Sequence, residues 1–84
     1  MKTFKKYSDP GHGWLAVKRK LLTDLGIADK ITSYSYQRGA TVYLEEDCDA
    51  TTFIEAYGRE NMNIPLEIFH EKTAIRSYDS YKAN

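Results

Sequence analysis

The sequence contains one cysteine and no long hydrophobic run. Cys48 alone cannot form a disulfide within the chain, whereas small secreted domains usually depend on several disulfides. No stretch approaches the roughly 20 apolar residues that span a bilayer. The N-terminal segment is charged and lacks the apolar run of a signal peptide. We therefore expect a protein of the cytoplasm that does not enter a membrane.

An excess of charge of either sign is also absent. Twelve basic and twelve acidic residues give a net charge of zero over 84 residues. This balance disfavours both a strongly basic nucleic-acid-binding protein and an acidic mimic of DNA. Hydrophobic residues make up 42% of the chain and charged residues 29%, which is typical of a globular protein. A domain of this size has a small core, which favours a homodimer or a bound partner.

The spacing of apolar and turn-forming residues predicts an α+β fold in the order β-β-α-β-β-α-β. Two short helices are predicted, over 18–25 and from Asp49 to about residue 59. The strands of a mostly antiparallel sheet are predicted at 2–7, 14–17, 31–36, 41–45 and 64–70. Residues 1–72 are predicted to form a single domain, and the polar residues 73–84 a loosely attached C-terminal tail.

No group of residues has the spacing of a catalytic or metal-binding site. His12 lies between two glycines in a turn, where we expect it to be exposed rather than catalytic. Cys48 is flanked by carboxylates, which disfavour the thiolate that a nucleophile requires. The acidic run 45–49 lacks the spacing of a calcium-binding loop. We therefore predict no enzyme activity, no cofactor and no metal.

The clearest binding feature is a tyrosine-rich hairpin followed by an acidic segment. Tyrosine and arginine are enriched among the residues that dominate protein interfaces. Residues 45–60 contain six acidic residues and one basic residue, a charge that favours a basic groove on a partner. Alternatively, the tyrosines cover the core of a small domain. The predicted partner-binding residues are Tyr34, Tyr36, Arg38, Tyr43, Glu45, Glu46, Asp47 and Asp49.

A second interpretation depends on residues 11–46, which read GHGWLAVKRKLLTDLGIADKITSYSYQRGATVYLEE. A strand, a short helix ending in a Leu-Gly-Ile tripeptide and a hairpin follow one another. This order resembles the looped-hinge-helix, swapped-hairpin DNA-binding domains of bacterial transition-state regulators and MazE-type antitoxins. The resemblance implies a dimer that places Lys18, Arg19 and Lys20 against DNA phosphates. The family usually has proline at the start of the helix, where this chain has Lys18.

The whole chain resembles a family of small accessory proteins encoded by bacteriophages and prophages, in the segments YSDPGHGWLAV, SYSYQRG, VYLEEDCDA and IRSYDSY. This resemblance implies a role in the cytoplasm of a bacterial host. By analogy with small phage proteins such as anti-CRISPR proteins, it implies inhibition or modulation of a host protein or defence complex. We therefore expect a non-enzymatic protein that binds such a partner through the hairpin and the acidic segment. A DNA-binding regulator or antitoxin is the alternative.

Overall fold

The structure is a computed structural model that describes residues 1–83. It confirms the α+β class, with a six-stranded sheet and two α-helices. The strands are β1 (Lys5–Ser8), β2 (Gly13–Lys18), β3 (Tyr36–Arg38), β4 (Thr41–Glu45), β5 (Leu66–Phe69) and β6 (Asp79–Ser80), and the helices are α1 (Arg19–Asp24) and α2 (Asp49–Tyr57). The strand order is β5-β1-β2-β4-β3-β6. Neighbouring strands are antiparallel except β1 and β5, which are parallel.

Alternating side chains along the two central strands give the sheet a buried face and an open face. Leu15 of β2 and Leu44 of β4 lie opposite each other and belong to one hydrophobic cluster with Leu22 of α1 and Phe53 of α2. Burying one such side chain contributes about 1.5–3 kcal/mol. The side chains that alternate with Leu15 along β2 and with Leu44 along β4 point to the other face of the sheet. No helix of the described chain covers this face, which we call the open face.

The end of α1 agrees with the sequence prediction. Ile27 donates its backbone N–H to the carbonyl of Leu22 and Gly26 donates to that of Thr23, both at 3.0 Å. Gly26 has a φ of +72°, in the left-handed region that glycine adopts at little cost. These bonds form a Schellman motif, which turns the chain so that Ile27 is buried in the core.

The strand predicted over 31–36 is mostly wrong. Only its last residue, Tyr36, belongs to β3. The residues before it form a turn around the carboxylate of Asp49, which accepts the Thr32 N–H at 3.0 Å and the hydroxyls of Thr32 and Ser35 at 2.7 and 2.5 Å. Cys48 is the N-cap residue of α2 and Asp49 is its first helical residue, so Asp49 does not cap the helix.

Residues 73–83 belong to the folded domain rather than to a loose tail. A short 3₁₀ turn at Ala74–Ser77 leads into β6, which pairs with β3. Ile75 and Tyr81 are buried, and the Tyr81 hydroxyl donates a hydrogen bond to the carbonyl of Ala28. Asn84, the last residue of the predicted tail, lies outside the described residues.

Candidate partner-binding site

The open face carries a row of aromatic side chains. Its members are Tyr7, Trp14, Tyr36, Tyr43 and Tyr78. The ring centroid of Tyr43 lies 6.0 Å from that of Tyr7 and 5.3 Å from that of Tyr78. Burial of Tyr43 between these rings raises the pKa of its hydroxyl above the ordinary value of 10.0, so this phenol remains neutral at physiological pH.

The segment that connects β5 with β6 crosses the open face, because these strands lie at opposite edges of the sheet. Its Arg76 guanidinium lies 5.5 Å from the centre of the Trp14 ring, and its Tyr78 packs on Tyr43. Trp14 is consequently only 2% exposed. The crossing segment leaves accessible surface at both ends of the open face.

A cleft of about 420 Å³ lies at the end of the open face where β4 finishes. We call it the acidic cleft; its lining residues are His12, Trp14, Tyr34, Tyr36, Glu45, Asp47, Cys48 and Arg76. Tyr34 lies at the edge of this cleft and is 75% exposed. The acidic cleft therefore brings together four predicted partner-binding residues, two tyrosines and two carboxylates.

Hydrogen bonds fix the position of the carboxylate of Glu45. One of its oxygens accepts the backbone N–H of Asp47 and the other that of Cys48, both at 3.0 Å. The Glu45 N–H donates to the Ser35 hydroxyl at 2.9 Å, and this hydroxyl donates to Asp49. The cleft is therefore held by a chain of hydrogen bonds that begins at a buried acid.

Four other predicted partner-binding residues lie elsewhere. Asp49 is fully buried, so its assignment to the contact surface is wrong; it acts by positioning the turn that carries Tyr34. Glu46 forms an ion pair with Lys6 at 3.3 Å. Arg38 is on the open face with Tyr43, away from the acidic cleft, and its guanidinium lies 5.1 Å from the centre of the Tyr78 ring.

Of the three basic residues that the alternative places against DNA, Lys18 and Lys20 line one groove, whereas Arg19 is engaged elsewhere. The Arg19 guanidinium donates to the carbonyl of Lys82 at 2.8 Å and to the side-chain oxygen of Gln37. It also lies 5.1 Å from the ring centre of Tyr81, so it holds the C-terminal segment in place. Lys20 pairs with Asp24 at 2.9 Å on α1, and Lys18 is exposed at the end of β2.

Four side chains that line the acidic cleft are not among the predicted partner-binding residues: His12, Trp14, Cys48 and Arg76. The sequence marks His12 and Cys48 only as candidates for catalysis. Trp14 falls within a predicted strand and Arg76 within the predicted tail, and neither position indicates a role in binding. The available signal was the ring of Trp14 next to a glycine-rich turn, since exposed loops often carry binding residues. Arg76 gave no local signal, because its contacts come from distant parts of the chain.

The described residues contain no group of three or more histidine, cysteine or acidic side chains placed to hold a metal ion. None of the helices within residues 1–83 has the length and apolar composition needed to cross a membrane. No protein-family model matches the chain, and no curated protein or solved structure matches it significantly.

Proposed function

We propose that the protein is a non-enzymatic binding module that takes a basic side chain of a partner protein into the acidic cleft. The observation that carries this proposal is the convergence of Tyr34, Tyr36 and two carboxylates on one cleft. Aromatic faces attract ammonium and guanidinium groups, and carboxylates form charge-assisted hydrogen bonds with them. A lysine or arginine side chain of the partner has the chemistry that this lining favours.

The charge of the cleft supports a cationic ligand. Arg76 is the one guanidinium among the lining residues, and Asp9 neutralises it through two hydrogen bonds of 2.8 and 2.9 Å. Glu45 and Asp47 therefore leave the cleft with a negative charge. The contact of Arg76 with the Trp14 ring also illustrates how a cation can be held against an aromatic side chain in this cleft.

The exposure of Tyr34 supports a role in binding rather than in folding. Its ring is among the few large apolar side chains that remain exposed in residues 1–83. Tyrosine side chains at interfaces contribute a large contact area at low cost in conformational entropy. Tyr36 is half-buried and the Glu45 carboxylate is held by two hydrogen bonds, so one exposed ring and one fixed carboxylate would face the partner.

The resemblance to small phage accessory proteins supports a bacterial host protein or defence complex as the partner. A protein without catalytic machinery would act by occupying a basic surface of that partner, and inhibition or modulation would follow from the occlusion. A target that handles nucleic acid has such a basic surface.

The test is capture of host proteins from a bacterial lysate, identification of the captured protein, and titration of that protein with variants. We expect Tyr34→Ala and Asp47→Lys each to weaken binding by about 2 kcal/mol, roughly thirtyfold. Glu60→Lys makes the same charge change at an exposed site outside the cleft and serves as the matched control.

Replacing the contacting lysine or arginine of the partner with glutamate should restore the affinity between the partner and the Asp47→Lys variant. If Tyr34→Ala and Asp47→Lys both bind as tightly as the original protein, the acidic cleft is not the contact site and the proposal is wrong. An equal loss with Glu60→Lys would likewise refute it, since overall charge would then explain the effect.

A further inference from the structure

We propose that the opposite end of the open face binds single-stranded nucleic acid. This site is separate from the acidic cleft and extends the proposed function to a second ligand. Its basis is a groove of about 590 Å³ that lies where β1 and β4 begin, where β2 ends and where α1 starts. We call it the lysine groove, after the four lysines that line it: Lys2, Lys5, Lys18 and Lys20.

The strand register places two of these lysines side by side on the open face. Lys5 of β1 is opposite Ala16 of β2, and Lys18 follows two residues later on β2. Diagonal neighbours of this kind have side chains about 7–8 Å apart. Lys2 precedes β1 and Lys20 lies in the first turn of α1, and all four side chains are exposed.

Most of the charge in the groove is uncompensated. Asp24 is the one acidic residue among its lining side chains, and it pairs with Lys20 at 2.9 Å. Within residues 1–83, Lys2, Lys5 and Lys18 form no ion pair. A protein with zero net charge therefore presents a locally positive groove that is complementary to a polyanion.

The two ends of the open face have opposite charge. Glu45 is at the acidic cleft and Thr41, at the other end of β4, is opposite Lys18. The strand length separates these ends by about 13 Å. A polyanion would therefore be attracted to the lysine groove and repelled from the acidic cleft, which gives each end its own ligand.

Aromatic rings make unpaired nucleotides the favoured polyanion. Tyr7 and Tyr43 line the groove next to the lysines, and the small side chain of Ala16 lies between Lys5 and Tyr43 in the register. Proteins that bind single strands combine a positive groove for the phosphates with aromatic rings for the bases. A duplex keeps its base faces stacked inside and would use the lysines alone.

The test is fluorescence anisotropy with a labelled oligothymidylate of about twelve nucleotides and a duplex of the same length. We expect the single strand to bind more tightly than the duplex, with an affinity that falls steeply between about 50 and 200 mM salt. The double variant Lys5→Glu with Lys18→Glu should lower the affinity at least about tenfold at the lower salt concentration.

The matched control reverses two exposed basic residues outside the groove, Lys30→Glu with Arg59→Glu, and so has the same net charge. It should retain the affinity within about twofold. Tyr7→Leu tests the ring and should weaken binding about fivefold without changing the salt dependence. A thermal melt of each variant establishes that it is folded.

Three results would overturn the proposal: no binding at the lower salt concentration, a duplex that binds as tightly as the single strand, or equal losses in the two double variants. The tests of the two sites are independent. Tyr34→Ala should leave the affinity for the oligonucleotide unchanged, and the Lys5 and Lys18 variant should still capture the protein partner.

Discussion

Asp9 and Arg76, 67 residues apart in the sequence, form a bidentate ion pair that joins the β1–β2 loop to the segment crossing the open face. The guanidinium nitrogens lie 2.8 and 2.9 Å from the two carboxylate oxygens. The same carboxylate accepts the backbone N–H groups of Gly11 and His12 at 3.0 Å. One buried acid therefore orders the glycine-rich loop and holds Arg76 over Trp14 at the edge of the acidic cleft.

This ion pair predicts a loss of stability in acid. The hydrogen bond from Arg76 lowers the pKa of Asp9 well below its ordinary value of 3.8; burial acts in the opposite direction, and the Gly11 and His12 N–H groups reinforce the lowering. Because the folded-state pKa is the lower one, the stabilisation is fully present above about pH 4 and is lost as the pH falls toward the folded value. We expect Asp9→Asn to remove much of the decrease in Tm between about pH 5 and pH 2, as measured by thermal melts followed by circular dichroism.

The matched control for this pH dependence is Asp79→Asn, at an exposed position in β6. Its Tm should follow the pH in the same way as that of the original protein. If Asp9→Asn and the original protein show the same pH profile, then the ion pair does not contribute to stability and the ordering of the loop has another cause.

Local signals in the sequence predicted the elements that depend on local interactions. The end of α1 depends on Gly26 and Ile27, which are adjacent to the helix, and the turn between β3 and β4 depends on Gly39, whose φ is +59°. The position of the C-terminal segment depends instead on Tyr81 and Arg76, whose partners lie 53 and 67 residues away. No periodicity within residues 73–84 indicates these contacts, so the segment looked like a tail.

The same distinction applies to the candidate site. Tyr34, Tyr36, Glu45 and Asp47 were predicted from residue type alone, and the structure places all four around one cleft. Asp49 was grouped with them because it follows the same acidic run. Asp49 is buried because the hydroxyls of Thr32 and Ser35 donate hydrogen bonds to its carboxylate. This is a tertiary arrangement that residue type does not reveal.

Tyr81 should be one of the most important residues for stability. Its side chain is 4% exposed within the core cluster, and its N–H donates to the carbonyl of Ser35 at 2.8 Å. We expect Tyr81→Ala to lower the free energy of unfolding by about 3 kcal/mol and Tyr81→Phe, which loses the hydroxyl contact to Ala28, by about 1 kcal/mol. Urea denaturation measures both. Tyr34→Ala, which removes an exposed ring, should change the free energy of unfolding by less than about 0.5 kcal/mol. If Tyr81→Ala and Tyr34→Ala have equal effects, the C-terminal segment does not fold with the domain.

Asp49 should couple stability to partner binding without touching the partner. Asp49→Ala leaves the buried hydroxyl of Ser35 and the N–H of Thr32 without their acceptor, which we expect to cost about 3 kcal/mol. The turn that carries Tyr34 loses its anchor, so affinity for the captured partner should also fall. Asp47→Ala, at an exposed position of the cleft, should weaken binding as well but leave the stability unchanged. Equal denaturation curves for the two variants would contradict the positioning role of Asp49.

Gly26 provides a test of backbone conformation alone. A side chain at this position would meet no atom within 4 Å, so any loss in Gly26→Ala arises from the φ of +72° and not from a clash. We expect Gly26→Ala to lower the free energy of unfolding by about 1 kcal/mol, and Gly26→Asn to lower it less, because asparagine adopts the left-handed region more readily. Urea denaturation of the two variants under identical conditions makes the comparison. If Gly26→Ala is as stable as the original protein, the chain can leave α1 by another path, and the bond from Ile27 to Leu22 is not needed to bury Ile27.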